Sequence, residues 1–334
     1  MKSLVLFVLS LGVMLNGLGA EPAPRPARKI WDQGEHNAFT DLIRYEGRWF
    51  CTFREGAAHV SGDGKIRVIE SADGDTWKSA ALIDEAGVDL RDPKVSVTPD
   101  GRLMMVMGGS IMEGGEYVSR QSRVSFSRDG RTWTPPQRIG EPRHWLWRVT
   151  WFRGQAYGVA YVGGGGLKDE RAGFLYTSAD GIDWKLVTRL DLPHASETTL
   201  RFLEDGEMIA FSVQVNPKPA RRSTRIGSSR PPYRDWTWKD VPFASGGPNF
   251  LVLPDGRWLA STRDYGIADV KQTTTALAWM TRDSIKPFLH YVSGGDTSYA
   301  GMVLSNNELW VSFYSSHEGK QNIYLDRVKI PAAE

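Results

Sequence analysis

Apolar residues in this chain come in short runs rich in Val, Phe, Trp, Tyr and Leu, such as LWRVTWF, AYGVAYV and NIYLDRV, and no window sustains a helical period. Runs of this kind, bounded by turn residues, predict β-strands. Six tight turns separate paired runs: YEGRWF, PDGRLMMV, FRGQAYGV, EDGEMIAF, PDGRWLAS and SNNELWVS. Their central Gly or Asn falls at 47, 101, 154, 206, 256 and 307, at intervals of 54, 53, 52, 50 and 51. Gly and Asn tolerate the positive φ that a two-residue hairpin demands. Six hairpins at one period predict an all-β fold, a six-bladed β-propeller whose four-stranded antiparallel blades each take roughly 50 residues.

A second series runs alongside the first. SADGDTW at Ser71 returns as SRDGRTW at Ser127 and SADGIDW at Ser178, and SRPPYRDW at Ser229 and TRDSIKPF at Thr281 continue it in degraded form. The separations are 56, 51, 51 and 52 residues. Within the phrase, Asp can accept backbone N–H bonds, Gly supplies a turn and Trp can wedge against the neighbouring sheet. The phrase therefore reads as a structural clasp of the blade rather than a catalytic motif.

Composition narrows the setting. Lys and Arg number 41 against 39 Asp and Glu, a net charge of +2 in 334 residues, which gives no reason to expect a nucleic-acid partner. Residues 1–20 carry one Lys, an apolar run from Leu4 to Leu15 and then small residues, the pattern of a signal peptide. A Pro-rich linker over 21–29 and one propeller domain over 30–334 follow. The expected location is secreted or periplasmic, and the apolar run is shorter than the ~20 residues of a membrane span. Cys51 is the only cysteine and reads as a small core residue. The six histidines include no H-x-x-H or H-E-x-x-H pattern, so no metal and no cofactor are expected.

The register then nominates a site. Residues at one offset from each turn should be equivalent around the axis, because the side-chain period of a strand is two. Seven past each turn residue stand Arg54, Gly108, Tyr161, Val213, Arg263 and Tyr314. Two arginines and two tyrosines in such a ring predict a polar axial pocket for an anionic or strongly polar ligand. Either arginine could instead pair with a carboxylate on the next blade. The strands leading into the turns add Asp41, Arg91, Asp92, Arg148, Glu197 and Tyr299. Asp92, in LRDPKV, also reads as an ordinary turn device at a strand start.

The clasp phrases resemble the Asp-box (BNR) repeats of the sialidase superfamily, one residue shorter than the usual S-x-D-x-G-x-T-W, over about residues 30 to 330. SETTLRFLEDGEMIA is similar to the fourth-blade stretch of bacterial sialidases, and DTSYAGMVLSNNELWVSFY to their last blade. The resemblance implies Tyr299 as nucleophile, Glu197 as its base and Asp63, eight before Ser71, as the acid. His59 is a second candidate for proton transfer. Arg54, Arg263, Arg148, Asp92, Tyr161, Tyr314 and His59 would then contact substrate. The activity so implied is an exo-α-sialidase-like glycosidase that releases a terminal acidic sugar, such as sialic acid, from a glycan or glycoconjugate with retention.

The sequence departs from that family at two places. EHNAFTDL puts His36 and Asn37 where an Arg-Ile-Pro arginine is expected, and Val213 occupies a second arginine position. Arg263 fits the third, so Arg54, Arg148 or Arg201 would have to supply the others. Two rival readings remain: a non-catalytic propeller that binds glycan or protein, with Trp145, Trp147 and Trp151 as a stacking platform, and a propeller lyase using tyrosine with His36 or His59.

Overall fold

The computed structural model describes residues 24–114, 116–164, 167–217, 220–266 and 273–331, so the expected signal segment lies outside the described residues. Among the described residues, twenty-four strands form six four-stranded antiparallel sheets. The first blade is β2 (His36–Tyr45), β3 (Arg48–Gly56), β4 (Lys65–Ser71) and β5 (Lys78–Ile83). Each later blade opens with its own first strand: β6 (Asp89–Val97), β10 (Trp145–Phe152), β14 (Ala195–Phe202), β18 (Ser245–Val252) and β22 (Thr297–Ser305). These first strands pack on one another in a ring, β22 against β2, and so line the axis.

The sixth blade is assembled from both ends of the chain. β22, β23 (Glu308–Ser315) and β24 (Asn322–Lys329) are completed at the outer edge by β1 (Arg28–Trp31). Thus β1 begins inside the segment that the sequence reads as a linker, and Arg25 already bridges to Tyr291.

Six apolar clusters hold the ring, each shared by two adjacent blades. Phe50 faces the second blade, whereas Cys51 and Phe53 on the same strand pack toward the sixth with Trp310 and Tyr314, and Cys51 is a buried free thiol. This is the strand period of two, with both faces of each sheet buried between neighbours.

The predicted turn residues have the predicted conformation, from φ 76° at Gly47 to φ 61° at Asn307. The recurring phrase closes the connection from a blade's third strand to its outermost one. In the first copy Asp73 Oδ1 accepts from the N–H groups of Asp75 and Thr76 at 2.7 and 2.9 Å, Gly74 N donates to Ser71 Oγ at 2.7 Å, and Trp77 Nε1 donates to Gly74 O at 3.1 Å. The copies at Ser127 and Ser178 repeat these bonds. Its glycine receives the preceding blade: a Cβ at Gly74 would lie 2.1 Å from Trp310, at Gly130 2.3 Å from Phe50 and at Gly181 2.7 Å from Met104. Trp77 and Trp133 pack into the same interblade clusters.

Candidate active site

Every axis-lining strand carries a β-bulge near its start, between Ala38 and Asp41, Arg91 and Lys94, Leu146 and Val149, Ala195 and Thr198, Gly246 and Asn249, and Ser298 and Gly301. A bulge inserts one residue and re-aims the side chains around it. Phe39, Asp92, Gly247 and Tyr299 sit in these bulges at φ 66°, 51°, 59° and 53°. A non-glycine residue held there costs about 1–3 kcal/mol and persists only where its surroundings impose it. Trp147 and Glu197 occupy the corresponding bulges of β10 and β14. The Tyr299 ring lies 5.0 Å from Phe39 and 5.2 Å from Trp147.

At this end of the axis the Tyr299 hydroxyl donates to Glu197 Oε1 at 2.5 Å, and Glu197 Oε2 accepts from Gly247 N at 2.7 Å. Both carboxylate oxygens are thereby fixed. Burial, the Glu197 charge and Asp92 push the Tyr299 phenol well above its ordinary value, with Arg263 opposing them. At rest the proton stays on the phenol, and Glu197 is the group placed to take it. Lys94 lies beneath, its Nζ 5.4 Å from the Tyr299 ring and donating to Thr40 O and Pro93 O at 3.2 Å each. Burial and then Arg148 lower it to about 8, against the upward pull of Asp41, Asp92 and Glu197. Asp92 is buried, its Oδ1 has no hydrogen-bond partner, and burial pushes its carboxyl up.

Other nominated residues divide into two groups. Arg263 joins the site: its Nε donates to Thr297 O at 2.7 Å, one terminal nitrogen bonds Tyr314 Oη at 2.7 Å and Asp296 Oδ1 at 3.1 Å, and its guanidinium stands 5.6 Å from the Tyr299 ring. Tyr314 Oη in turn donates to Asp296 Oδ1 at 2.8 Å. Tyr161 is buried, stacked on Trp145 at 6.4 Å with the Arg120 guanidinium 5.0 Å above it. His59, on the loop after β3, bonds Asp296 Oδ2 through Nδ1 at 2.8 Å.

Asp63, on the same loop, accepts from Ala57 N at 3.2 Å and from Ser61 Oγ. Burial acts upward on it, but Ser61 and Ala57 outweigh burial and hold Asp63 below the usual carboxylate value. Arg54 is wholly buried and anchors that loop from below, donating to Asp89 Oδ1 at 2.7 Å, Ala58 O at 2.7 Å and Ser61 Oγ at 2.8 Å. Arg148 grips Asp41 with both terminal nitrogens at 2.9–3.1 Å. With Arg201 it lines a cavity of about 340 Å³ among Ile43, Leu253 and Val303, on the later halves of the axial strands and so farther along the axis. Trp145 and Trp147 are buried within the ring and form no exposed platform.

The structure also brings in residues that the register count passed over. Arg171 on β12 (Leu167–Ser178) and Arg222 on β16 (Ala220–Ser229) both feel the Glu197 charge, and Arg222 that of Tyr299 as well. Arg171 reaches Ser196 Oγ at 3.5 Å, and Arg222 lies 5.2 Å over the Tyr265 ring. Neither makes an ion pair with a carboxylate among the described residues. Their signal was a different offset: Arg120, Arg171 and Arg222 each stand seven residues before a clasp serine, at 127, 178 and 229. The count from the hairpins follows second strands, whereas these arginines lie on third strands.

His36, the first residue of β2, meets His59 and Asp296 so that one ligand atom from each lies within 4.8 Å of the others. Burial, then His59 and Arg54, lower His36 to about 4, so its ring is neutral near pH 7. Sequence spacing shows none of this, because the three residues come from the start of β2, the loop after β3 and the residue before β22.

No family model matches this sequence, and no curated protein does either. Solved structures share the fold. A protein of unknown function from Dyadobacter fermentans is 18% identical and superposes with a TM-score of 0.78 over 92% of this chain and 98% of that one. Trypanosoma rangeli sialidase, in complex with the inhibitor DANA, gives 14% identity and a TM-score of 0.68 over 88% of this chain and 55% of that one. The chain thus matches about half the length of that sialidase. An α-L-arabinofuranosidase from Fusarium graminearum, in complex with an iminosugar inhibitor, gives 12% identity and a TM-score of 0.67 over 91% and 98%. The six-bladed propeller fold is therefore shared with these structures.

Proposed function

We propose that the protein is a retaining glycoside hydrolase, acting after export, that releases a terminal acidic sugar from a glycan. The observation that carries this reading is the buried Tyr299–Glu197 pair, with a 2.5 Å hydrogen bond and the second carboxylate oxygen fixed on Gly247 N. A phenol is a poor nucleophile at its own pKa of ~10 and becomes useful when an adjacent base takes its proton. Tyr299 Oη attacks the anomeric carbon while its proton passes to Glu197. The bond to the leaving oxygen breaks as that oxygen receives a proton, and water later cleaves the glycosyl–tyrosine bond with retention. A neutral phenol also meets less repulsion than a carboxylate would when the sugar carries its own negative charge beside the reacting carbon.

Asp92 suits the role of proton donor better than Asp63, being buried and raised while Asp63 is held ionised by its own loop. Arg263, Arg222 and Arg171 supply the cationic wall for an acidic sugar in place of the arginines missing near His36 and Val213. The test is hydrolysis of a fluorogenic panel containing an α-sialoside, hexuronides, an arabinofuranoside and neutral hexosides. Tyr299→Phe should lower turnover of the cleaved member by ~10²–10⁴-fold or more while leaving its binding nearly unchanged. Cleavage of an acidic member by wild type, lost in the variant, supports the reading. Silence across the panel, or full activity in Tyr299→Phe, overturns it.

A further inference from the structure

We propose that His36, His59 and Asp296 form a binding site for a divalent transition-metal ion beside the Tyr299–Glu197 pair, with open coordination positions facing the sugar. Two imidazoles and one carboxylate from three separate stretches of the chain converge there, with one ligand atom from each inside 4.8 Å. This donor set suits zinc and its first-row neighbours rather than calcium or magnesium, which prefer oxygen ligands.

The surroundings are built as a metal site's are. His36 Nδ1 is buried without a hydrogen-bond partner, and so is Gln321 Oε1. Gln321 steadies Asp296 by donating from Nε2 to its backbone oxygen at 3.1 Å and to Oδ2 at 3.3 Å, and the main-chain oxygen of Gln321 accepts from Asn37 Nδ2 at 2.9 Å. Arg263 and Tyr314 hold the other carboxylate oxygen at 3.1 and 2.8 Å. The ring of His59 is set edge-on between Phe39 and His36, with centroids 5.1 and 5.7 Å away. Bonds from outside that orient each ligand are what preorganised metal sites share. The hydrogen bond from His59 Nδ1 to Asp296 Oδ2, at 2.8 Å, occupies the position the ion would take. Metal binding displaces any proton held there, so affinity falls as the solution is acidified.

Three protein ligands leave positions free for water or a substrate oxygen. The ion would there hold the sugar's carboxylate or hydroxyls from the side where β2 begins with His36 and no arginine. That role rests on the glycosidase reading, whereas metal binding itself does not.

The experiment is calorimetric titration of the full chain, stripped with chelator, with Zn²⁺, and titration with Co²⁺ followed by visible absorption. One ion per chain is expected, with His36→Ala and His59→Ala each weakening it by at least the ~10–100-fold typical of losing even an orienting residue. Tyr299→Phe should bind normally, and His59→Ala, at a half-exposed loop position, should keep the fold, which a thermal melt of the variant checks. Absence of saturable binding to wild type, or affinity unchanged in both histidine variants, overturns the site. An ion bound to a protein silent on every glycoside leaves the site standing and removes only the glycosidase reading. Hydrolysis by a chain that binds no metal does the reverse.

Discussion

Asp92 concentrates the chemistry of the site in one carboxyl. It sits at φ 51° in an axial bulge, buried, with one oxygen unpartnered and its carboxyl pushed up by burial. A carboxyl raised in the folded state binds more protons there than in the unfolded chain, so stability falls as pH rises through the window from the ordinary value to the raised one. Asp92→Asn removes this ionisation. The variant should melt higher than wild type at about pH 7 and lose that advantage below the ~3.9 of an ordinary aspartate. Its turnover should drop by ~10²–10⁴-fold, and that of Asp63→Asn by much less. Calorimetric melts across pH and rates on one cleaved glycoside read both effects, and the opposite ranking of the two variants would make Asp63 the donor. The count from the hairpins brought Arg263 and Tyr314 into view, the strands leading into the turns brought Asp92, and the resemblance of two stretches to sialidase blades gave Glu197 and Tyr299 their roles. Arg54 satisfies the same count, yet the loop over 57–64 and Asp89 enclose it, and no count along one strand reports what a neighbouring loop covers.

At the scale of the element, the clasp explains why one phrase recurs. Its Asp and Ser satisfy backbone N–H groups at a turn, and its Gly leaves room for the previous blade. The two demands on glycine can be separated by substitution. Gly101 has φ 79° and no atom within 4 Å of a would-be Cβ, so Gly101→Ala feels only the left-handed backbone, ~1–2 kcal/mol. Gly130 has φ 72° and the Phe50 ring at 2.3 Å, so Gly130→Ala adds an overpacking cost of ~1–3 kcal/mol. Denaturant melts should therefore rank Gly130→Ala clearly below Gly101→Ala, and Phe50→Leu should recover part of the difference. Equal losses would mean that the clasp glycine serves conformation alone. This second role was not legible in the sequence: the turn announces itself locally, whereas its partner Phe50 lies about 80 residues upstream of it, one blade away.

For the whole molecule, β1 ties the last blade to the first, alongside the apolar cluster that the two blades share. It adds the outer strand to the last blade, while Trp31 Nε1 donates to Glu55 Oε1 on β3 of the first blade at 2.7 Å. Arg28 pairs with Asp75 in the first clasp at 2.7 Å and also donates to Gly74 O. The period of the hairpins revealed six units, but the strand RKIW is only four residues long and follows APRPA, so it reads as linker. Proline suppresses the strand signal just upstream, and only the circular closure shows that the last blade lacks a fourth strand of its own. Cleavage near residue 20 would leave β1 intact. A chain starting at Asp32 should expose β24 as an open edge, melt at lower temperature and with less cooperativity, and self-associate through that edge. Light scattering and thermal unfolding of the shortened chain test this, and a synthetic peptide covering residues 24–31 should restore both properties in trans. A shortened chain that stays monomeric and melts like the parent would show that the sixth blade holds without β1, and that the ring is closed by its interblade apolar clusters alone.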